Sequence, residues 1–293
     1  MTLPDPWTAL RQHTAARLAL GRAGNSLPTQ PWLAFGVAHA MARDAVHEAL
    51  DSAALVAQLS GHGFEQIASV ESAATDRATY LRRPDLGRRL SQRSASLLGA
   101  LAAMPGVVVV VGDGLSARAV QQHALPLLLE LRPRLQAQGQ AVGQVVVVQQ
   151  ARVALGDEVS VLLRASPLLV LIGERPGLSS PDSLGAYLTW APAVGCADAQ
   201  RNCVSNIRPL GLPLPDAAHR IAWLLAAARR LGASGVALKD NSPAWQALPG
   251  QPGQHALPGL AGLAGLAGHP ALPGLPALPG LPGLPGLPGQ LAP

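Results

Sequence analysis

Apolar residues follow two rhythms along this chain, and the change between them marks out its elements. In the middle of the sequence they form short unbroken runs, Val107 to Val111, Val145 to Val148 and Leu168 to Ile172, each bounded by glycine-rich or polar turns. Valine and leucine runs of that length predict strands buried on both faces, as in a parallel sheet. Elsewhere the rhythm is helical: from about Ala117 to Gln136, with a kink or break expected at Pro126 and Pro133, and from Asp216 to Leu231. Strand, helix, strand, helix, strand predicts an α/β fold, a Rossmann-like doubly wound and mainly parallel sheet.

Ahead of the first run, Trp7, Leu10 and Leu18, then Ala38, Met41, Ala45 and Ala49, recur at helical intervals. Gly21-Arg22-Ala23-Gly24 separates the two stretches, and Pro28 and Pro31 predict an extended connection. The chain is therefore expected to divide into a small helical N-terminal region over 1–95, the α/β domain over 96–240, and a third segment over 241–293. That last segment is built from Leu-Pro-Gly and Leu-Ala-Gly repeats. Glycine takes every third position from Gly259 to Gly268 and from Gly280 to Gly289, a collagen-like spacing whose register Ala271 and Ala277 break. With no periodic apolar face to bury, it reads as a disordered, polyproline-like tail.

Composition narrows the function classes. Of 293 residues 48% are hydrophobic but only 3% aromatic, and of the 22 basic residues Lys239 is the single lysine. The arginines are scattered and not interleaved with aromatics, so the net charge of +5 does not describe a nucleic-acid groove. Cys196 and Cys203, seven positions apart with no histidine beside them, fit neither a zinc site nor a redox pair, and a reduced, cytoplasmic protein is expected. No stretch reaches the roughly 20 apolar residues of a membrane span, and the N-terminus has no secretory pattern.

Several motifs carry candidate chemistry. Gly112-x-Gly114-x-x-Ala117 follows the valine run directly, where a dinucleotide-binding turn would lie. Two features oppose that reading: Asp113 puts a carboxylate where pyrophosphate would approach the helix N-terminus, and the second strand ends on Gln149-Gln150, not on a ribose-binding acid. No serine has the Gly-x-Ser-x-Gly surround of a hydrolase nucleophile, and the eight histidines lack ligand spacing, so no metal site and no catalytic constellation is assigned to this chain. Arg82, Arg83, Arg88 and Arg89 crowd one proline turn, which fits acids on another chain, phosphate, or equally a solvated face. Gly173-Glu174-Arg175-Pro176-Gly177 follows the Leu168–Ile172 strand, at the strand end where open α/β sheets bind ligands.

The stretch Gly173 to Leu178, then Ser179 to Leu184, then Arg201-Asn202-Cys203 and Ser205-Asn206-Ile207 resembles the ethanolamine ammonia-lyase light-chain family. Arg-Pro-Asp with Gly-Arg-Arg-Leu around Pro84, Asp113 to Ser116, and Arg11, Arg17 and Arg22 are similar to further family elements, so the resemblance runs from about Asp5 to Lys239. It implies the small subunit of an adenosylcobalamin enzyme that converts ethanolamine to acetaldehyde and ammonia, with the substrate in the TIM-barrel large subunit and the N-terminal region docked on that partner. It also implies three cofactor-contacting positions, Val153, Glu174 and Cys203, with Arg175, Ser179, Asp182, Arg201, Asn202 and Asn206 as positioning residues. Each of the three has a plainer reading from the residues alone: a core valine, half of a surface ion pair with Arg175, and a compact buried thiol. Members packaged into bacterial microcompartments are expected to carry an extension before the helical region, which here begins almost at once. Two rival functions remain open on the sequence: a nicotinamide-dependent oxidoreductase, and a non-catalytic scaffold working through its arginines and tail.

Overall fold

The computed structural model describes residues 7–11, 13–14 and 16–243. From residue 244 onward the segment expected to be a disordered tail lies outside the described residues. The helices are α1 (Thr8–Arg11), α2 (Thr29–His47), α3 (Ser52–Gly61), α4 (Arg77–Arg82), α5 (Gln92–Gly99), α6 (Ala117–Ala137), α7 (Leu155–Leu162) and α8 (Leu214–Leu231). The strands are β1 (Ile67–Glu71), β2 (Val107–Gly112), β3 (Val142–Gln149), β4 (Leu168–Gly173), β5 (Leu184–Thr189) and β6 (Asn202–Ile207).

The strands form one sheet in the order β1-β3-β2-β4-β5-β6. The three apolar runs are the central parallel strands β2, β3 and β4, and every residue of β2 and β4 is buried. The sheet is mixed, not mainly parallel throughout: β4 with β5 and β5 with β6 pair antiparallel. It also crosses the boundary drawn at residue 95, because β1, inside the expected helical region, pairs with β3. β1 and β5 mix Ile, Ala, Leu or Val with Ser, Gly or Tyr, and β6 has apolar Val204 and Ile207 among polar residues, a weaker signal than an unbroken run.

Side chains sort to the two faces by strand parity. Val107, Val109, Val111, Leu169, Leu171, Leu184, Ala186 and Leu188 meet α3, α6 and α8 in one core. Val108, Val110, Val146, Val148, Leu168, Val170 and Ile172 meet Leu98 of α5 and Leu155 and Val159 of α7 in another. The first face is covered by helices of 21 and 18 residues, the second by two of 8 residues each.

α6 runs without a break through Pro126 and Pro133, against the expected interruption. Each proline removes one hydrogen bond, but both lie on the wetter side of the helix, while Leu127, Leu128, Leu131 and Leu135 are fully buried and hold it to the sheet. Pro31 falls in the first turn of α2, where its missing N–H costs nothing, so the helix begins where an extended connection was expected. α8 begins with proline in its first turn and ends at Gly232, whose φ of 69° suits glycine.

Both margins of the sheet are capped by side chains and loops. At β1, Ser94 Oγ accepts from Glu71 N (3.0 Å) and Ser91 N donates to Glu71 O (3.1 Å). At β6, Asn202 Nδ2 donates to Leu238 O (2.7 Å) and its Oδ1 accepts from Gly235 N (2.8 Å).

Candidate functional site

The order β3-β2-β4 brings β3 back to the far side of β2, with α6 on one face and α7 on the other. Adjacent strands whose following helices leave on opposite faces open a crevice at their carboxyl ends, the usual ligand position in such sheets. By that rule the crevice lies between β2 and β3, where Asp113 sits, and the neighbouring gap between the ends of β2 and β4 is closed by the chain itself. Leu115 N donates to Gly173 O (2.9 Å) and Ser116 Oγ to Pro181 O (2.8 Å). A Cβ on Gly173 would lie 2.0 Å from Ser116 O, and one on Gly114, at φ 55°, would lie 2.2 Å from Gly173 O. Gly114 serves this close approach between two loops and Gly112 a second one, where a Cβ would lie 2.7 Å from Ala151 Cβ, while in the first turn of α6 Ala119 N is capped by Ser116 Oγ (3.2 Å).

Asp113 is likewise engaged. Its carboxylate accepts from Ala151 N (2.9 Å) and Gln150 N (3.0 Å), and Arg77 Nη1 lies 3.3 Å away. Burial pushes its pKa up, opposed by those backbone donors and by Arg77. Arg77 also donates to Val46 O (2.7 Å) and Gly114 O (2.8 Å), tying α2 to the loops after β2 and β3. Nearby, Tyr80 is fully buried, donates to Ala151 O (2.8 Å) and carries the Arg152 guanidinium 4.3 Å from its ring centre.

Two of the expected cofactor-contacting groups stand one strand further out. Glu174 leaves the end of β4 and lies over β5. Its Oε2 accepts from Ser183 Oγ and from Asn206 N (3.2 Å). Gly185 leaves the room: a Cβ there would meet Glu174 Oε1 at 2.9 Å and the Tyr187 ring at 3.2 Å. Tyr187 and Cys203 are direct cross-strand partners. Loss of surrounding water pushes the Cys203 thiol up, with Glu174 adding to the shift and Tyr187 opposing it. Tyr187 is raised too, first by burial and then by Cys203.

The structure thus brings Glu174 and Cys203 together. Val153 sits just before α7, half-buried against the same second-face core as Tyr187, two strand positions away from Glu174 and on the same side of the sheet. Cys203 is exposed, so the buried-thiol reading does not hold for it, and Glu174 has Ser183 and Asn206 as partners and not Arg175, which is exposed.

The remaining expected positioning residues divide. Asp182 lies 3.4 Å from His123 Nε2 and 3.6 Å from Arg208 Nη1, while Asn206 bonds both Glu174 and Arg208 (3.0 Å), so these two hold the Glu174 loop. Arg201 instead makes a bidentate pair with Asp157 (2.6 and 2.7 Å), both side chains at most 2% exposed, and Asn202 serves the sheet margin. Sequence reading passed over Tyr187, Gly185, Ser183 and Asp157. Leu184, Ala186 and Leu188 alternating with Gly185, Tyr187 and Thr189 is a strand signal, and recognising it would have placed Tyr187 across from Cys203.

Around this site, Arg82, Arg83, Arg88 and Arg89 are exposed, with Asp85 pairing Arg83 (2.7 Å). α2 exposes Trp32, Leu33, Phe35, Val37 and Met41 at 42–61%, distributed around the helix and not along one side of it. Among the described residues no helix is long and apolar enough to cross a membrane.

A family model described as ethanolamine ammonia-lyase light chain matches residues 4–239. A protein named ethanolamine ammonia-lyase small subunit from Ralstonia nicotianae is 55% identical over 240 residues, 80% of this chain and 88% of that protein. Proteins of the same name from Pseudomonas aeruginosa and Pseudomonas syringae pv. tomato are 52% and 54% identical, over 85% and 81% of this chain and 94% and 84% of their own lengths. With the match spanning nearly all of the described residues, the chain belongs to the ethanolamine ammonia-lyase light-chain family.

Proposed function

We propose that this chain is the small subunit of a cytoplasmic, adenosylcobalamin-dependent ethanolamine ammonia-lyase, which converts ethanolamine to acetaldehyde and ammonia, and that it acts only with its large subunit. One observation carries the reading: Glu174, over Gly185, and Cys203, across from Tyr187, stand on a part of the sheet that the chain's own helices leave bare. A corrin ring edged with amide side chains fits such a wall, because amides both donate and accept and a carboxylate, a thiol and a side chain as small as hydrogen leave both bonding and room.

When bound, the cofactor supplies the cobalt–carbon chemistry that no protein side chain offers. The roles left to this chain are binding, orientation and exclusion of water. Glu174, held through one oxygen by Ser183 and Asn206, keeps its other oxygen available to an amide N–H. Val153 supplies apolar contact ahead of α7, and Cys203 a polar one. A Rossmann-like winding of β1-β3-β2-β4 is part of the same reading. Ethanolamine sits in the large subunit's TIM barrel. That subunit covers the exposed apolar residues of α2, the region 1–95 docks on it, and its acids answer the exposed arginines.

Titration with adenosylcobalamin tests the reading. The purified chain alone is expected to be inactive and to bind the cofactor weakly, and the two-subunit complex to bind it tightly and turn over ethanolamine. Turnover by the chain alone would overturn the division of labour.

A further inference from the structure

Asn206 is the residue at which β6 departs from regular pairing. Leu184 faces Ile207 and Ala186 faces Val204, so Gly185 alone stands opposite both Ser205 and Asn206, a β-bulge beneath the Glu174 carboxylate. Asn206 has a φ of 57°, a left-handed conformation uncommon for any residue but glycine. The bulge frees its amide from the ladder, and that amide donates to Glu174 Oε2 (3.2 Å). Strain of this kind persists only where the surroundings hold it. Arg208, 8% exposed, donates from Nε to Asn206 Oδ1 (3.0 Å) and brings Nη1 to 3.6 Å from Asp182 Oδ1. Asp182 adjoins Ser183, the other donor to Glu174 Oε2. Leu212 N donates to Asn206 O (2.7 Å), and a Cβ on Gly211 would lie 2.3 Å from that oxygen, so the 207–212 turn packs directly against the bulge. One guanidinium thus joins the two segments that orient Glu174.

We propose that Arg208 is a positioning residue of the cofactor wall: by gripping Asn206 and Asp182 together it fixes the bulge whose amide, with the Ser183 hydroxyl, aims the Glu174 carboxylate at the corrinoid amides. The inference rests on the cobalamin reading above. It differs from a merely structural clasp of the 207–212 turn in one respect, because only positioning depends on Glu174 being there.

Equilibrium dialysis of adenosylcobalamin against the two-subunit complex, read by cofactor absorbance, separates the two. Arg208→Met is expected to raise Kd about fivefold, the loss that follows when one hydrogen bond of ordinary net strength no longer aids binding. Asn206→Ala, at an exposed position, removes the oxygen that Arg208 grips and is expected to weaken binding by a similar factor, so the test stands even where Arg208→Met fails to fold. With Glu174→Ala already in place, neither change is expected to weaken binding further. Parent-like binding by a folded Arg208→Met complex or by Asn206→Ala, or losses that add to that of Glu174→Ala, would overturn the proposal. If Glu174→Ala alone binds as the parent does, the cobalamin reading of this wall falls and takes the proposal with it. If Glu174→Ala weakens binding while Arg208→Met and Asn206→Ala do not, the proposal falls alone.

Discussion

The two faces of the sheet are held by different means. One is closed by α6 and α8, whose leucines and alanines interlock with Val109, Val111, Leu169 and Leu171, and the packing continues across β5 and β6 through Leu184, Ala186, Leu188, Val204 and Ile207. On the other, α5 and α7 reach only the parallel strands, and β5 and β6 contribute no fully buried residue to that core, only the half-buried Tyr187. Where helices stop, an ion pair takes over. Arg201 at the start of β6 grips Asp157 on α7 and also donates to Thr189 Oγ1 (3.1 Å) and Cys196 O (3.0 Å). Hydrogen bonding to Asp157 pushes the Arg201 pKa above its ordinary value. A folded domain that leaves one side of a hairpin uncovered, yet fastens its root with a buried charge pair, keeps a rigid surface available to something else.

The largest effect that sharpens this contrast is expected from Asp157→Ala, which strands a buried guanidinium and should cost about 3–5 kcal/mol in urea unfolding. Replacing both partners together, Asp157→Leu with Arg201→Met, should recover most of that loss, and failure to recover would mean that the pair does more than bridge the gap. On the covered face, Leu128→Ala should cost about 3 kcal/mol through cavity formation. Glu174→Ala on the bare face should leave the unfolding midpoint nearly unchanged while raising the cobalamin requirement of the complex about tenfold, or about 1.4 kcal/mol; an unchanged requirement removes Glu174 from the site.

A smaller, pH-dependent difference comes from His123, buried on α6 beneath the 174–183 loop. Burial pushes its pKa below the ordinary value, with Arg208 adding to the shift and the Asp182 hydrogen bond opposing it. The stability this gives is present above the unfolded histidine's pKa of about 6.5 and is lost as pH falls through the lower folded value. His123→Gln should therefore flatten the acid side of the stability profile. The least effect belongs to Ser205→Ala, on the exposed side of β6, expected within about 0.5 kcal/mol of the parent.

How much of this was legible in the sequence follows from the same contrast. Unbroken runs such as Val107–Val111 announce strands buried on both sides, and the helical period of α8 announces its packed face. Strands covered on one side only, such as Leu184–Thr189, alternate, and two of the alternate positions are glycine and tyrosine, so a loop rich in Gly, Pro and Ser hides them. That is why Glu174 and Cys203 could be named from motif resemblance but not placed side by side, and why Tyr187 went unnoticed. The Arg201–Asp157 pair joins residues 44 apart in sequence, and no local pattern connects them. Pro126 and Pro133 misled for the opposite reason: a local rule for helix interruption was overridden by four buried leucines on one side of α6.

The capped margins of the sheet bear on what the chain can safely lose. A strand edge with free amide and carbonyl groups is a template for fibre growth, and at the β1 border Ser94 and Ser91 occupy the amide and the carbonyl of Glu71. At β6 the Asn202 side chain instead anchors the 235–238 turn, so trimming back to about residue 240 keeps that anchor and trimming to Gly232 leaves the amide without those partners.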